Sequence, residues 1–103
     1  MTSSVADVRS PSALSVTVDR VSLSLELSDG RTLSVPTGWF PRLVHATQAE
    51  RSNWRLIADG VGIHWPDLDE DISVQSLLAG RGSMESEASL KRWLGSRDRN
   101  GAA

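Results

Sequence analysis

The residues best suited to chemistry are a histidine and the four carboxylates that follow it. His64 precedes Asp67, Asp69, Glu70 and Asp71. Clustered carboxylate oxygens suit hard divalent cations, and a histidine could add a nitrogen ligand. The spacing does not match a calcium-binding loop, and acidic residues before a helix also complement its dipole. We interpret the stretch as a solvated acidic turn that binds no specific cation. The alternative is a metal site formed by His64, Asp67, Asp69 and Asp71.

Acid–base catalysis at neutral pH would use the imidazole of His64, with Asp67 orienting it. The nucleophile that usually accompanies such a pair is missing. The sequence has no cysteine, no Gly-x-Ser-x-Gly elbow and no glycine-rich loop for phosphate. We therefore predict no catalytic residue, no cofactor and no enzymatic activity; a metal-dependent enzyme is the least favoured alternative.

A second group of residues combines arginine with tryptophan. Arg42, Arg51 and Arg55 lie close in sequence to three tryptophans, and we expect these arginines to be exposed or half-exposed. Guanidinium and indole groups together bind single-stranded nucleic acid, and they also form hot spots of protein interfaces. The formal net charge of −2 disfavours nucleic acid and leaves a protein as the preferred partner.

The C-terminal tail carries an apolar triplet. Leu90, Trp93 and Leu94 lie on one side of a helix predicted within 83–94. An isolated helix of this length is marginal in water, so the triplet packs on its own domain, docks in the groove of a partner, or belongs to a frayed tail. The predicted partner-binding residues are Trp39, Arg42, Arg51, Arg55, His64, Asp67, Leu90, Trp93 and Leu94.

The bulk composition limits the protein to one small core. The chain has 103 residues, 39% of them hydrophobic, and no cysteine, which fits a reducing compartment. Residues 1–12 lack the apolar segment of a signal peptide, and no apolar run is long enough to span a bilayer. We expect a cytoplasmic protein that does not bind membranes, and self-association stays open because small domains have thin stability margins.

Strand patterning begins at Leu14, where apolar and polar residues alternate as far as Val35. A three-residue loop at 28–30 places Leu25 opposite Leu33 and predicts a left-handed glycine at Gly30. The preceding hairpin has either a two-residue loop around Asp19 or a four-residue loop. A further hairpin over 54–65, with a two-residue loop at 59–60, would place Trp54 opposite Trp65 in the core.

Helical signals lie between and after these hairpins. The spacing of apolar residues predicts a short helix over 38–46, and Thr47 with Glu50 has the spacing of a capping box. Ser73 is a predicted N-cap and Gly80 ends that helix. The sequence therefore predicts an α+β fold, with an antiparallel sheet of about five strands and two or three short helices on one face. We divide the chain into a flexible segment 1–13, a compact domain 14–80 and a tail 81–103.

Four segments resemble one bacterial family. The segments Leu33–Pro36, Trp39–Leu43, Asn53–Trp54 and Gly62–Ile72 are similar to the family known as domain of unknown function 2442. The resemblance implies a compact α+β domain, followed in some relatives by a helix-turn-helix region for which the tail here is too short. It also implies gene neighbourhoods suggestive of toxin and antitoxin pairs, and it implies no activity.

Together these features predict a small non-catalytic interaction module, antitoxin-like or accessory and regulatory, that binds a protein partner through its sheet face or its tail. A nucleic-acid-binding regulator is the alternative.

Overall fold

Two antiparallel three-stranded sheets form the fold, in the orders β1-β2-β3 and β4-β5-β6. The structure is a computed structural model that describes residues 11–101, with side chains as far as residue 97. The strands are β1 Ala13–Val18, β2 Ser22–Leu27, β3 Thr32–Pro36, β4 Arg55–Ile57, β5 Gly62–Trp65 and β6 Glu70–Ser73. The prediction of one five-stranded sheet is wrong, because β3 and β4 do not pair and the acidic stretch contributes a sixth strand.

Four α-helices and two 3-10 turns complete the described part of the chain. The helices are α1 Pro41–Val44, α2 Gln48–Ser52, α3 Val74–Leu78 and α4 Glu87–Gly101, and the turns cover Thr37–Trp39 and Ala58–Gly60. The helix predicted over 38–46 is divided at Phe40, whose backbone is extended. A residue before proline avoids the α conformation, and Pro41 follows Phe40. The helix predicted within 83–94 begins later, at Glu87.

The first sheet has the predicted register in its second hairpin. Leu25 pairs with Leu33, and Gly30 has a φ of 91°, as the three-residue loop requires. In the first hairpin Val18 pairs with Leu23, so the four-residue loop is the correct alternative. The alternation that begins at Leu14 predicts this residue on the apolar face of the sheet, but a bulge turns it outward and leaves it 62% exposed.

The second sheet keeps the register predicted for the hairpin over 54–65, with Leu56 opposite Ile63, although four residues, 58–61, connect the strands instead of two. Trp65 is fully buried and pairs with Glu70 of β6, whereas Trp54 lies before β4 and is only half-buried. The expectation of two mostly buried tryptophans therefore holds for Trp65 alone.

Both sheets contribute to a single hydrophobic core. Gly60 allows the second sheet to approach the start of β1, because a Cβ at this position would lie 2.5 Å from the carbonyl oxygen of Ala13. The buried apolar residues are Ala13, Val16, Val18, Leu23, Leu25, Leu27, Val35, Phe40, Leu43, Ala46, Ile63, Trp65, Leu68, Ile72, Val74 and Leu77.

The two predicted helix caps are confirmed. Thr47 accepts a hydrogen bond from the amide of Glu50, and the Glu50 carboxylate accepts one from the amide of Thr47. Ser73 accepts a hydrogen bond from the amide of Ser76 at the start of α3. Of the segment predicted to be flexible, residues 1–10 lie outside the described residues, and Ala13 already belongs to β1. Within residues 11–101, no helix is long and apolar enough to cross a membrane.

Candidate functional site

Arg42 of α1 joins the acidic turn to the C-terminal segment. Its Nε lies 3.0 Å from both carboxylate oxygens of Glu85, and its Nη2 lies 2.6 Å from Oε2. Its Nη1 donates to the carbonyl oxygen of Leu68 at 2.8 Å. The two side chains are only 15% and 10% exposed. A paired, bidentate contact of this kind fixes geometry as well as charge.

Trp93 of α4 lies beneath two guanidinium groups. The central carbon of Arg42 is 5.0 Å from the ring centroid and that of Arg97 is 4.6 Å away. Arg97 in turn donates to both carboxylate oxygens of Glu50, at 2.8 and 3.1 Å. Cation–π contacts contribute about 0.5–2 kcal/mol each, depending on desolvation. We call Arg42, Trp93 and Arg97 the arginine–tryptophan surface.

The segment before α4 is anchored on Trp39. The amide of Ser83 donates to the carbonyl oxygen of Trp39 at 2.9 Å, and a Cβ at Gly82 would lie 3.2 Å from that same oxygen. Ser86 then caps α4 by accepting a hydrogen bond from the amide of Ser89. In the structure, therefore, residues 82–97 of the tail pack on the domain, and Leu90, Trp93 and Leu94 are half-buried.

Glu50, Glu85 and Arg97 also belong to this site and were not predicted from the sequence. One signal was available for Arg97, which lies four residues after Trp93 and therefore on the same side of a helix. No comparable signal distinguished Glu85 or Glu50 from the other acidic residues.

Arg51 has a structural position, and the expectation that it is exposed is wrong. Arg51 is only 5% exposed. Its Nε and Nη2 donate to the carbonyl oxygens of Leu43 and Val44, at 2.8 and 2.9 Å. Both carbonyls lie at the end of α1, where no i+4 helical amide follows, although that of Leu43 also accepts a long hydrogen bond from the amide of Ala46, at 3.4 Å. The backbone oxygen of Arg51 also accepts the indole N–H of Trp65.

The remaining predicted residues lie on and beside the second sheet. His64 pairs across the strands with Asp71, through Nδ1 and Oδ1. Asp67 instead accepts a hydrogen bond from Asn53, so it does not orient the histidine for catalysis. Arg55 is exposed opposite His64. Among the described residues, no group of three or more histidine or acidic side chains could hold a metal ion.

Glu70 lines a cleft next to Arg42 and is the most perturbed acid of the described residues. Burial raises the pKa of Glu70 to about 7; nearby Arg42 opposes the shift, and the carboxylates of Glu85, Asp71 and Asp69 add to it. Hydrogen bonding to Arg42 has the opposite effect on Glu85, whose pKa is lowered. The cleft can therefore hold one proton near neutral pH.

We expect Glu70→Gln to change how stability depends on pH. The folded protein binds the Glu70 proton more tightly than the unfolded chain, whose pKa is near 4.5. The stability that this tighter proton binding contributes is fully present below about pH 4.5 and is lost as the pH rises through about 7. At pH 8 the variant should be more stable than the wild type by about 1–2 kcal/mol after solvent screening, and near pH 5 the difference should shrink.

The measurement is denaturant unfolding at both pH values. The matched control is the same substitution at exposed Glu26, which should change neither value appreciably. If Glu70→Gln shows the same pH dependence as the wild type, the carboxyl group is solvated and the assigned environment is incorrect.

Fold and site together define a small α+β domain with two antiparallel sheets and a helix held on it by arginine contacts. Residues 13–83 match the family described as protein of unknown function (DUF2442), and the chain belongs to this family. The resemblance found in the sequence is thereby confirmed.

Two solved structures are similar to this chain. A protein of unknown function from Rhodospirillum rubrum is 28% identical, with a TM-score of 0.64 over 76% of this chain and 94% of that one. An uncharacterised protein from Chromobacterium violaceum is 23% identical, with a TM-score of 0.63 over 79% of this chain and 77% of that one, and shows the fold alone. No curated protein matches the chain.

The region that matches the family contains only part of the site. Trp39, Arg42 and Glu50 lie inside the matched residues, whereas Trp93 and Arg97 lie beyond them. The arginine–tryptophan surface is therefore assembled from the family domain and from a helix outside the matched region.

Proposed function

We propose that this protein is a non-catalytic interaction module that binds a protein partner through the arginine–tryptophan surface, as an accessory regulatory or antitoxin-like protein. The observation that carries the proposal is the pair of guanidinium groups over the half-buried ring of Trp93. Tryptophan and arginine are the residues most enriched in interface hot spots. A weakly hydrated guanidinium can bond and stack at once, which suits a surface that must lose water on binding.

The charges around this surface favour a protein over a nucleic acid. Arg42 is paired with Glu85 and Arg97 with Glu50, so the two positive charges are balanced locally by two negative ones. Nucleic-acid affinity depends on unneutralised positive charge that displaces counterions from phosphates. A balanced cluster instead suits a partner with polar and aromatic groups of its own.

The other predicted residues have different parts in the proposal. Leu90 and Leu94 extend the surface along α4, and Arg55, His64 and Asp67 offer polar contacts on the second sheet. Arg51 is not part of the proposed binding surface, because its guanidinium is buried against backbone carbonyls.

Two substitutions on the same helix test this proposal. Arg97→Ala removes a guanidinium from the surface, whereas Lys91→Ala removes a charge from an exposed position of α4. We expect Arg97→Ala to weaken binding at least about tenfold, the loss of a moderate hot spot, and Lys91→Ala to have little effect.

The measurement is affinity purification of each tagged full-length chain from its native cell, followed by titration of the protein that co-elutes in stoichiometric amount. Melting curves of both variants verify that they are folded. If no protein co-elutes with the wild type, or if the two variants bind it equally well, the proposal is wrong.

A further inference from the structure

The outer edge of β3 carries backbone groups that face away from the sheet. At the two ends of the β2–β3 ladder, the amide of Leu27 donates to the carbonyl oxygen of Arg31, and the amide of Thr37 donates to the carbonyl oxygen of Val21. Hydrogen-bonded pairs alternate with non-bonded pairs along an antiparallel ladder. The odd-numbered residues of β3 therefore bond to β2.

The even-numbered residues of β3 must then point their N–H and C=O groups outward. The side chains agree with this assignment, because the hydroxyls of Ser24 and Ser34 lie 2.7 Å apart, as expected of a non-bonded pair with close side chains. Thr32, Ser34 and Pro36 are exposed, and no hydrogen bond from the described part of the chain reaches their outward backbone groups.

The opposite edge of the same sheet is covered. Gln48 of α2 donates to the carbonyl oxygen of Val18 at the end of β1, and Gly60 packs on Ala13 at its start. Unpaired edges are templates for another strand, and proteins commonly cover or shorten them. Within residues 11–101, only the C-terminal end of the β3 edge is protected, because Pro36 has no N–H to donate.

The apolar face of β3 is also incomplete. Leu33 faces the core side, yet it is half-buried, whereas Leu23 and Leu25 on the neighbouring strand are almost completely buried. A strand added beside β3 would place a side chain next to Leu33 and bury it, as β2 does on the other side.

We propose that the edge of β3 is a second interaction site, separate from the arginine–tryptophan surface, which binds an extended segment of a partner protein by strand addition. The segment pairs with Thr32 and Ser34 through its backbone and presents an apolar side chain to Leu33. Strand addition derives affinity from main-chain hydrogen bonds and specificity from alternate side chains. A second copy of this chain is the less suitable occupant, because a five-residue edge with one proline buries far less than a stable dimer needs.

A peptide with the sequence Ser-Leu-Ser-Leu-Glu-Leu, which is that of β2, is the probe. β2 already pairs with the inner edge of β3, so its sequence has the alternation of apolar and polar residues that pairing with β3 requires. We expect saturable shifts of the Thr32 and Ser34 amide resonances in a titration of the full-length, isotope-labelled chain, with a dissociation constant of about 1 mM or below. Without peptide, these two amides should exchange with solvent much faster than those of Leu33 and Val35.

Ser34→Pro is the variant that blocks strand addition. It removes the outward N–H of residue 34, which makes no hydrogen bond to β2 in the wild type. It should leave the fold intact by circular dichroism and weaken peptide binding at least about tenfold. A Ser34→Ala chain keeps the N–H and should bind like the wild type, which shows that the serine hydroxyl is not required. If the proline variant unfolds, amide exchange at Thr32 and Ser34 of the wild type still tests the proposal.

Three results would overturn the proposal: slow exchange of the Thr32 and Ser34 amides in the monomer, saturation at residues of another strand, or no saturation. If these amides become protected as the protein itself dimerises, the occupant is a second copy and the assignment of a separate partner is wrong. None of these measurements depends on the arginine–tryptophan surface.

Discussion

Trp65→Ala is expected to lower the free energy of unfolding by about 3–5 kcal/mol, the largest effect of any substitution considered for this chain. The indole is 0% exposed, and its Nε1 donates to the backbone oxygen of Arg51 at 3.0 Å. Alanine leaves a cavity at the centre of the core and removes that bond. A domain of this size has a total stability of about 5–15 kcal/mol, so the variant should be close to unfolding.

Two companion variants separate the causes. Trp65→Phe keeps most of the volume and should lose mainly the hydrogen bond, at about 1–3 kcal/mol. Trp54→Ala, at a half-buried position, should cost clearly less than Trp65→Ala. Denaturant unfolding monitored by far-UV circular dichroism gives all three values. Equal losses for the two alanine variants would mean that Trp65 is not the centre of the core.

Arg51→Ala is expected to cost about 2–4 kcal/mol, because it leaves the carbonyl oxygens of Leu43 and Val44 without their guanidinium donors. The affected helix, α1, has only four residues, so its end depends strongly on these bonds. At about 4–8 °C per kcal/mol for a domain of this size, the melting temperature should fall by more than about 8 °C.

Arg55→Ala is the matched control, since Arg55 is exposed on β4 and its loss should change the melting temperature little. Arg51→Lys should give an intermediate result, because an ammonium group cannot bond both carbonyls with the planar fork of a guanidinium. A small effect of Arg51→Ala, close to that of Arg55→Ala, would contradict the structural assignment of this arginine.

Local features of the fold were predictable from the sequence. The register of β2 and β3 follows from alternation and from the loop ending at Gly30, since a one-residue slip would bring polar side chains into the core. The capping box of Thr47 and Glu50 and the cap at Ser73 depend on residues three positions apart. In each case the groups that decide the structure are neighbours in sequence.

Arrangements between distant segments were not predictable in this way. The pattern of alternation is the same whether strands form one sheet or two, so it could not show that β3 and β4 fail to pair. Arg51 looked like a surface arginine because nothing near it in sequence marks the end of α1 as needing a donor. Asp67 could not be assigned to Asn53 rather than His64, because both lie within reach of a loop.

The sequence by itself determined the α+β class, the registers of two hairpins, the helix caps and a C-terminal helix that contains Trp93. The tertiary structure decided which charges meet around that tryptophan. Arg42 pairs with Glu85 across 43 positions, and Arg97 pairs with Glu50 across 47. With 13 acidic and 11 basic residues in the chain, charge alone allows many such pairs. Coulomb attraction selects no partner by sequence distance, and only the packing of α4 on the domain brings these particular groups within bonding distance.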